Sequence, residues 1–179
     1  TGVQTCALPI YSGNLYGGIE TLLITLAKMQ HLIPLMERQF ALCFPGRLRD
    51  NLLAAGATVY DLGPVRLSRP WTVWRARARL RRLLRDVRFD AVMLHACWPH
   101  VVFAPTVHRA GVRLALGVHD LLLGKHWLDK LASWTTPPDV LLANSHYTGN
   151  IASKLFPGIP LEVVHHPVPL PPHMNRAEV

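Results

Sequence analysis

YGGIE at residues 16–20, running into TLLITLAK at residues 21–28, is the stretch on which the fold turns. Ile19, Leu22, Leu23, Leu26 and Ala27 recur at helical spacing, so one face of this segment is built for burial. Gly17 and Gly18, just ahead, free the backbone for a tight turn and leave its N–H groups open. A helix N-terminus carries unpaired donors and a partial positive charge, so it can hold a phosphate. Glu20, in the first turn, suits the same dipole. A glycine pair alone is weak evidence, since a loop entering a core helix needs no more than that. The rest of the chain has to supply the context.

Downstream, short apolar runs alternate with amphipathic segments. Strands are expected at residues 39–44 (QFALCF), 57–62 (ATVYDL), 90–95 (DAVMLH), 112–118 (VRLALGV), 139–143 (DVLLA) and 161–165 (LEVVH). Helices are expected at 47–55, stopped by Gly56, at 71–88, at 101–110, stopped by Gly111, and from a cap at Ser145 to about Phe156. The stretch holding Trp127 and Trp134 reads as irregular, and prolines 167, 169, 171 and 172 read as an exit linker. Continuous rather than alternating apolar strands mean a parallel sheet covered by helices on both faces. The expected class is therefore α/β, a single Rossmann-like domain. Ligands of such sheets bind beyond the carboxyl ends of the strands. Gly17-Gly18, His95 to His100, His119-Asp120, Asn144-Ser145 and His165-His166 all fall there.

Composition bounds the rest. The 179 residues fit one domain, with 50% hydrophobic and 17% charged residues. No apolar run approaches the ~18–20 residues of a membrane-spanning helix. Cys6, Cys43 and Cys97 show no paired spacing, which argues against a disulfide framework or a zinc site and favours a reducing cytoplasm. The net charge of +8 has a local source: Arg66, Arg69, Arg75, Arg77, Arg79, Arg81, Arg82, Arg85 and Arg88 are nine of the 19 basic residues. Helix 71–88 is then a solvated face, or a peripheral contact to anionic lipid at the inner face of a membrane. Nucleic acid is disfavoured, because no stacking aromatics interleave with the arginines. Residues 1–10 (TGVQTCALPI) carry no charge or periodicity and resemble a translated sequencing adapter. They are set apart from functional reasoning, with the native first strand expected to be missing.

The order of motifs (Gly-Gly-x-Glu into a helix, a strand ending in His-Asp, a strand leading into Asn-Ser, a final strand entering His-Pro-Val) resembles the N-terminal Rossmann domain of family 4 retaining glycosyltransferases of the GT-B fold. The resemblance implies that Gly17 and Gly18 approach the donor diphosphate. It places His119 at the cleft floor near the transferred sugar, with Asp120 as its neighbour, and Ser145 at the opening of the next helix. Where the family commonly has Asn-Gly in the final strand, His166-Pro167 stands instead. Glu20, His95, Trp98, Ser145 and His166 are candidate acceptor or supporting residues, Asp120 a candidate for orienting His119. Implied substrates are a nucleotide sugar and a sugar or lipid-linked acceptor. No metal and no other cofactor is implied.

Family members carry a second Rossmann domain with paired glutamates, which is not found here. Residues 11–166 are expected to be the acceptor-side half, with 167–179 starting the interdomain linker, and the chain alone to be inactive. The competing expectation is a stand-alone Rossmann-like binding module using its basic helix. A sugar-nucleotide epimerase fits the His-Asp and Gly-Gly-x-Glu order less well.

Overall fold

The computed structural model describes residues 5–13 and 17–167. Tyr16, residues 1–4 of the leader and the exit beyond Pro167 lie outside the described residues. Among those residues, eight strands form one sheet in which every pairing is parallel. They are β1 (Thr5–Tyr11), β2 (Met36–Arg38), β3 (Phe40–Leu42), β4 (Val59–Asp61), β5 (Ala91–His95), β6 (Arg113–Val118), β7 (Val140–Ala143) and β8 (Leu161–Val163). Their order is β4-β3-β1-β5-β6-β7-β8, with β2 pairing the start of β1. After β1 the chain builds toward one edge, and from β5 it builds toward the other. The reversal opens a crevice beyond the carboxyl ends of β1 and β5.

The helices sort by face. Alternate residues of a strand point to opposite sides, and the two sides of β1 and β3 feed different clusters. Tyr11, Phe40 and Leu42 pack with Leu23, Ile24 and Ala27 of α1 (Gly18–Lys28) and with Leu48 and Leu52 of α2 (Arg47–Ala54). Leu8, Ile10, Ala41 and Cys43 face the other way, toward α3 (Pro70–Asp86) and α4 (Cys97–Arg109). On that side α4 joins two clusters. Val102, Phe103 and Val107 pack against Val92 and Leu94, whereas Cys97 and Val101 meet Leu116, Leu141 and Ala152. The layer continues with α5 (Trp127–Trp134) and α6 (His146–Leu155). Helices thus cover both faces, though unevenly: beside α1 a groove of 280 Å³ remains, lined by Leu22, Leu26, Met93, Leu142 and others.

The alternation of elements is as expected, with four differences. First, the central slot of the sheet is filled by Thr5–Tyr11, drawn largely from the run set apart on composition, with Leu8 and Ile10 wholly buried. An apolar run between two parallel neighbours satisfies ladder bonds on both sides. Pro9, which has no N–H to donate, falls in the gap where β1 has left β2 at Ala7 and not yet met β3 at Ile10. Second, β2 adds a short strand ahead of β3. Third, α4 begins at Cys97 rather than 101, because Pro99 occupies the first turn, where a missing N–H costs no helical bond. Fourth, the stretch read as irregular holds α5, capped by His126, whose Nδ1 accepts from Leu128 N at 3.3 Å.

The arginine-rich helix is close to its expected bounds. Pro70 opens it, and Ala76 and Leu80 are its buried residues. Arg77 turns inward and donates from Nε to Val102 O at 2.6 Å and from Nη2 to Val101 O at 3.2 Å, pinning α3 to α4.

Candidate functional site

At the carboxyl edge of the sheet, an open cleft of 480 Å³ is bounded by Tyr11 at the end of β1, by Gly17, Gly18, Ile19 and Glu20 at the start of α1, and by His119, Asp120, Asn144 and His166. Six of the residues singled out from sequence (Gly17, Gly18, Glu20, His119, Asp120 and His166) therefore share one cavity wall. The loops after β1, β6, β7 and β8 deliver them. Tyr11 was not anticipated; its only signal was its place at the end of an apolar strand.

The helix entrance carries the expected donors, less one. Gly17 N–H is already taken, donating to Glu20 Oε2 at 2.7 Å. The first intrahelical bond runs from Thr21 N to Gly17 O at 3.1 Å. The N–H groups of Gly18, Ile19 and Glu20 precede it and have no partner inside the helix. Glu20 is only 2% exposed, and its other carboxylate oxygen, Oε1, has no hydrogen-bond partner. It acts on the loop, holding Gly17 to the helix. Burial, followed by this carboxylate, pushes the Tyr11 phenol up to about 12. The glycines are not demanded by packing: a Cβ on Gly18 would meet nothing within 4 Å, and one on Gly17 only Glu20 Oε2 at 3.6 Å. What their absent side chains leave is open space in front of the helix dipole.

Opposite this entrance stands a chain of imidazoles. His95 Nδ1 lies 2.8 Å from His119 Nε2, and His119 Nδ1 lies 3.2 Å from His166 Nε2. The His95 and His119 rings are nearly coplanar, 14° apart with centroids 5.1 Å apart, which fits rings joined edge to edge through nitrogen. Burial, then the neighbouring imidazoles, holds His95 well below the ordinary histidine range. Burial, then His166, brings His119 down to about 4, and burial also lowers His166. All three are neutral at pH 7.

Asp120 does not orient His119 as expected. Both ring nitrogens of His119 are already engaged by histidines, and the Asp120 side chain is exposed at the cleft. Asn144 steadies the loop instead, donating from Nδ2 to His119 O at 3.3 Å and accepting from Thr148 Oγ1 at 2.6 Å.

The other candidates lie apart from the cleft. Ser145 caps α6, its hydroxyl accepting from Thr148 N at 3.2 Å. Trp98 sits in the first turn of α4 and walls an adjoining hollow of 400 Å³, shared with Tyr11, Phe44 and Asp120. His100, expected at the strand's edge, is wholly buried within α4. Its Nε2 is 2.9 Å from Thr136 O, and burial lowers it to about 4. It serves the core rather than the cleft. Cys97 is buried, and burial with Asp129 raises its thiol to about 12, so it is no nucleophile. No group of three or more His, Cys, Asp or Glu side chains among the described residues is arranged to hold a metal ion.

Ala96 is a feature that sequence gave no hint of. It joins β5 to α4 with φ at 80° and ψ at 166°, a region that suits glycine, and it lines the hollow beside Trp98. Such strain costs on the order of 1–3 kcal/mol. Ala96→Gly is expected to raise the stability by about 1 kcal/mol, and Tm by roughly 2–4 °C. A thermal melt followed by circular dichroism checks this; a lower Tm would contradict it.

A family model described as Glycosyltransferase Family 4 matches residues 16–170. No curated protein sequence matches the chain. Similar solved structures include Anabaena Alr3699/HepE in complex with UDP-glucose, at 18% identity and a TM-score of 0.70 over 91% of this chain and 44% of that one. Acinetobacter baumannii MurG is similar at 12% identity and a TM-score of 0.63, over 97% of this chain and 47% of that one. The lipopolysaccharide outer core galactosyltransferase WaaB is similar at 14% identity and a TM-score of 0.69, over 92% of this chain and 46% of that one. At such identities the likeness is one of fold, and the chain spans less than half the length of each of these structures. The family match, in contrast, takes in most of the sequence. The chain belongs to Glycosyltransferase Family 4, and its fold is that of an N-terminal GT-B domain.

Proposed function

We propose that this domain is the acceptor-side half of an enzyme that moves a sugar from a nucleotide sugar to an acceptor, with retention at the anomeric carbon. The observation that carries the reading is the cleft itself: unpaired helix N–H donors behind two glycines, facing neutral imidazoles across open space. A departing nucleoside diphosphate develops negative charge. Oriented N–H groups and a helix N-terminus stabilise that charge without a metal ion. HepE has been crystallised with UDP-glucose, which supports a nucleotide sugar as the donor class. The hollow walled by Trp98 beside the cleft suits an acceptor ring. The donor-holding groups belong to a second domain in this reading, so the 179-residue chain alone is expected to transfer nothing from labelled UDP-glucose or UDP-galactose. Sugar transfer or donor hydrolysis at enzymic rates by the chain alone would overturn that division of labour.

The acceptor in this reading is presented at a membrane surface. No helix among the described residues is long and apolar enough to cross a membrane. On α3, however, Trp71 and Trp74 are 56% and 70% exposed, on the same helix as exposed Arg75, Arg82 and Arg85. Aromatic and basic side chains on one helix suit the head-group region of an anionic bilayer. Vesicles of phosphatidylglycerol are expected to bind the chain and shift its tryptophan emission to the blue, with the effect weakening as salt rises. Each basic residue near the surface contributes about 1 kcal/mol, so replacing Arg75, Arg82 and Arg85 with Gln should weaken binding about a hundredfold. Equal binding to neutral phosphatidylcholine vesicles would contradict the electrostatic part.

A further inference from the structure

We propose that His95 and His119 form a one-way imidazole relay that fixes the tautomer of His166, making His166 the imidazole that presents an N–H donor to the ligand in the cleft. The inference rests on the reading of the cleft given above, and it changes which residue touches the ligand. His119 occupies the cleft floor, but its two nitrogens are spent on His95 and His166. His166 is the only member of the three with a ring nitrogen, Nδ1, that bonds no other described residue, and its side chain lines the cleft.

The direction of the relay follows from its buried end. A neutral imidazole has one N–H and one bare nitrogen. His95 is 0% exposed, and its Nε2 has no hydrogen-bond partner. A buried N–H without an acceptor is rarer and costlier than an under-used acceptor. The proton of His95 therefore sits on Nδ1 and is donated to His119 Nε2. His119, accepting there, carries its own proton on Nδ1 and donates it to His166 Nε2. His166 is then left with Nδ1–H. Reversing the chain would turn His166 into an acceptor, but only by stranding the N–H of His95 in the core. In this direction His166 is a hydrogen-bond donor and not a base, which suits a sugar hydroxyl oxygen or a diphosphate oxygen. His95 and His119 are positioning residues.

Gly117 gives the relay a structural signature. It pairs with His95 across β5 and β6. A Cβ on Gly117 would come within 3.0 Å of His119 Nε2 and 3.2 Å of His95 Nδ1, the two atoms of the first link. The bond between them depends on the absent side chain. Charged groups near the outer end of the relay are Asp120, exposed at the cleft, and Glu20, which holds the Gly17 loop.

The test is a long-range ¹H–¹⁵N imidazole correlation on the labelled 179-residue chain at pH 7. The relay predicts that His95, His119 and His166 are each neutral and protonated on Nδ1. A proton on Nε2 of His95 or of His119 would overturn it, with no variant needed. Gly117→Ala keeps all three histidines and is expected to shift the ring nitrogens of both His119 and His166 while the far-ultraviolet circular dichroism stays unchanged. Unmoved His166 signals in the folded variant would also overturn the relay. In titrations with UDP-glucose, His166→Ala should weaken binding about tenfold, the loss of one hydrogen bond to a charged partner. His166→Asn, which keeps a donor, should restore part of it. Unchanged affinity in His166→Ala would remove His166 from the ligand contact. Failure of the unaltered chain to bind UDP-glucose at all would count against the reading of the cleft. The tautomers would then decide the relay on their own.

Discussion

Gly18→Asp is expected to leave the chain folded and slightly more stable while reducing its affinity for UDP-glucose by at least tenfold. The two effects have one cause. Gly18 is the first residue of α1, and a side chain there enters open space. A carboxylate at the first helical position interacts favourably with the helix dipole, by about 0.3–1 kcal/mol. Replacing glycine also removes backbone freedom from the unfolded chain. That same carboxylate stands where a diphosphate would sit and competes for the N–H groups that would hold it. Thermal melts and ligand titrations on one preparation check both halves. A residue kept only for folding would show the reverse: lower stability and unaltered binding. Gly18→Ala, which adds a methyl group and no charge, should fall between the two.

Acid is expected to destabilise the domain sharply, and earlier than carboxylate protonation alone would. His100 and His119 are held down to about 4 in the folded chain, against the ordinary 6.5 that the unfolded chain recovers. As pH falls below 6.5 the unfolded chain takes up protons that the folded chain refuses, so stability falls with falling pH. The loss is complete only near pH 4, where the folded histidines also protonate. Each such group costs up to about 1.4 kcal/mol per pH unit across that window. For these two, the change from pH 7.5 to pH 5 comes to about 3–4 kcal/mol, a large part of a typical ~5–15 kcal/mol total. Tm should drop by roughly 10 °C. His95, also displaced downward by burial, adds to the effect in the same direction. A Tm independent of pH between 7.5 and 5 would mean that these imidazoles are solvated or already charged in the folded chain.

Sequence reveals the edge of this sheet better than its depth. Each parallel strand is a short apolar run, and the residue where polarity returns marks its carboxyl end. That is why His119-Asp120 and His165-His166 could be placed on one rim from spacing alone. Their joining with Gly17 and Gly18 in one cleft follows from the strand order. What escaped was mostly non-local. The His95–His119 link depends on β5 and β6 lying side by side, with His95 opposite Gly117. Nothing near either residue in sequence announces that pairing. Asp120, adjacent in sequence to His119, looked the better partner and is not one.

Local signals misled in two other places. Pro99 reads as a break, yet it sits where a helix tolerates it, so the first turn of α4 and the burial of His100 were missed. The composition of residues 1–10 carries no helical or functional pattern, but a sheet slot between β3 and β5 selects only for an apolar extended run, which LPIY supplies. Ala96 illustrates a third limit: backbone strain at an alanine leaves no mark in composition or periodicity.

The measurement that bears most directly on the central claim is a two-dimensional amide titration of the chain with UDP-glucose, with pyrophosphate in parallel. The account predicts that both ligands move the amides of Gly18, Ile19 and Glu20, and that UDP-glucose also moves those of His119, Asp120, Asn144 and His166. Shifts confined to α3, or none at millimolar ligand, would contradict the assignment of this cleft to a sugar diphosphate.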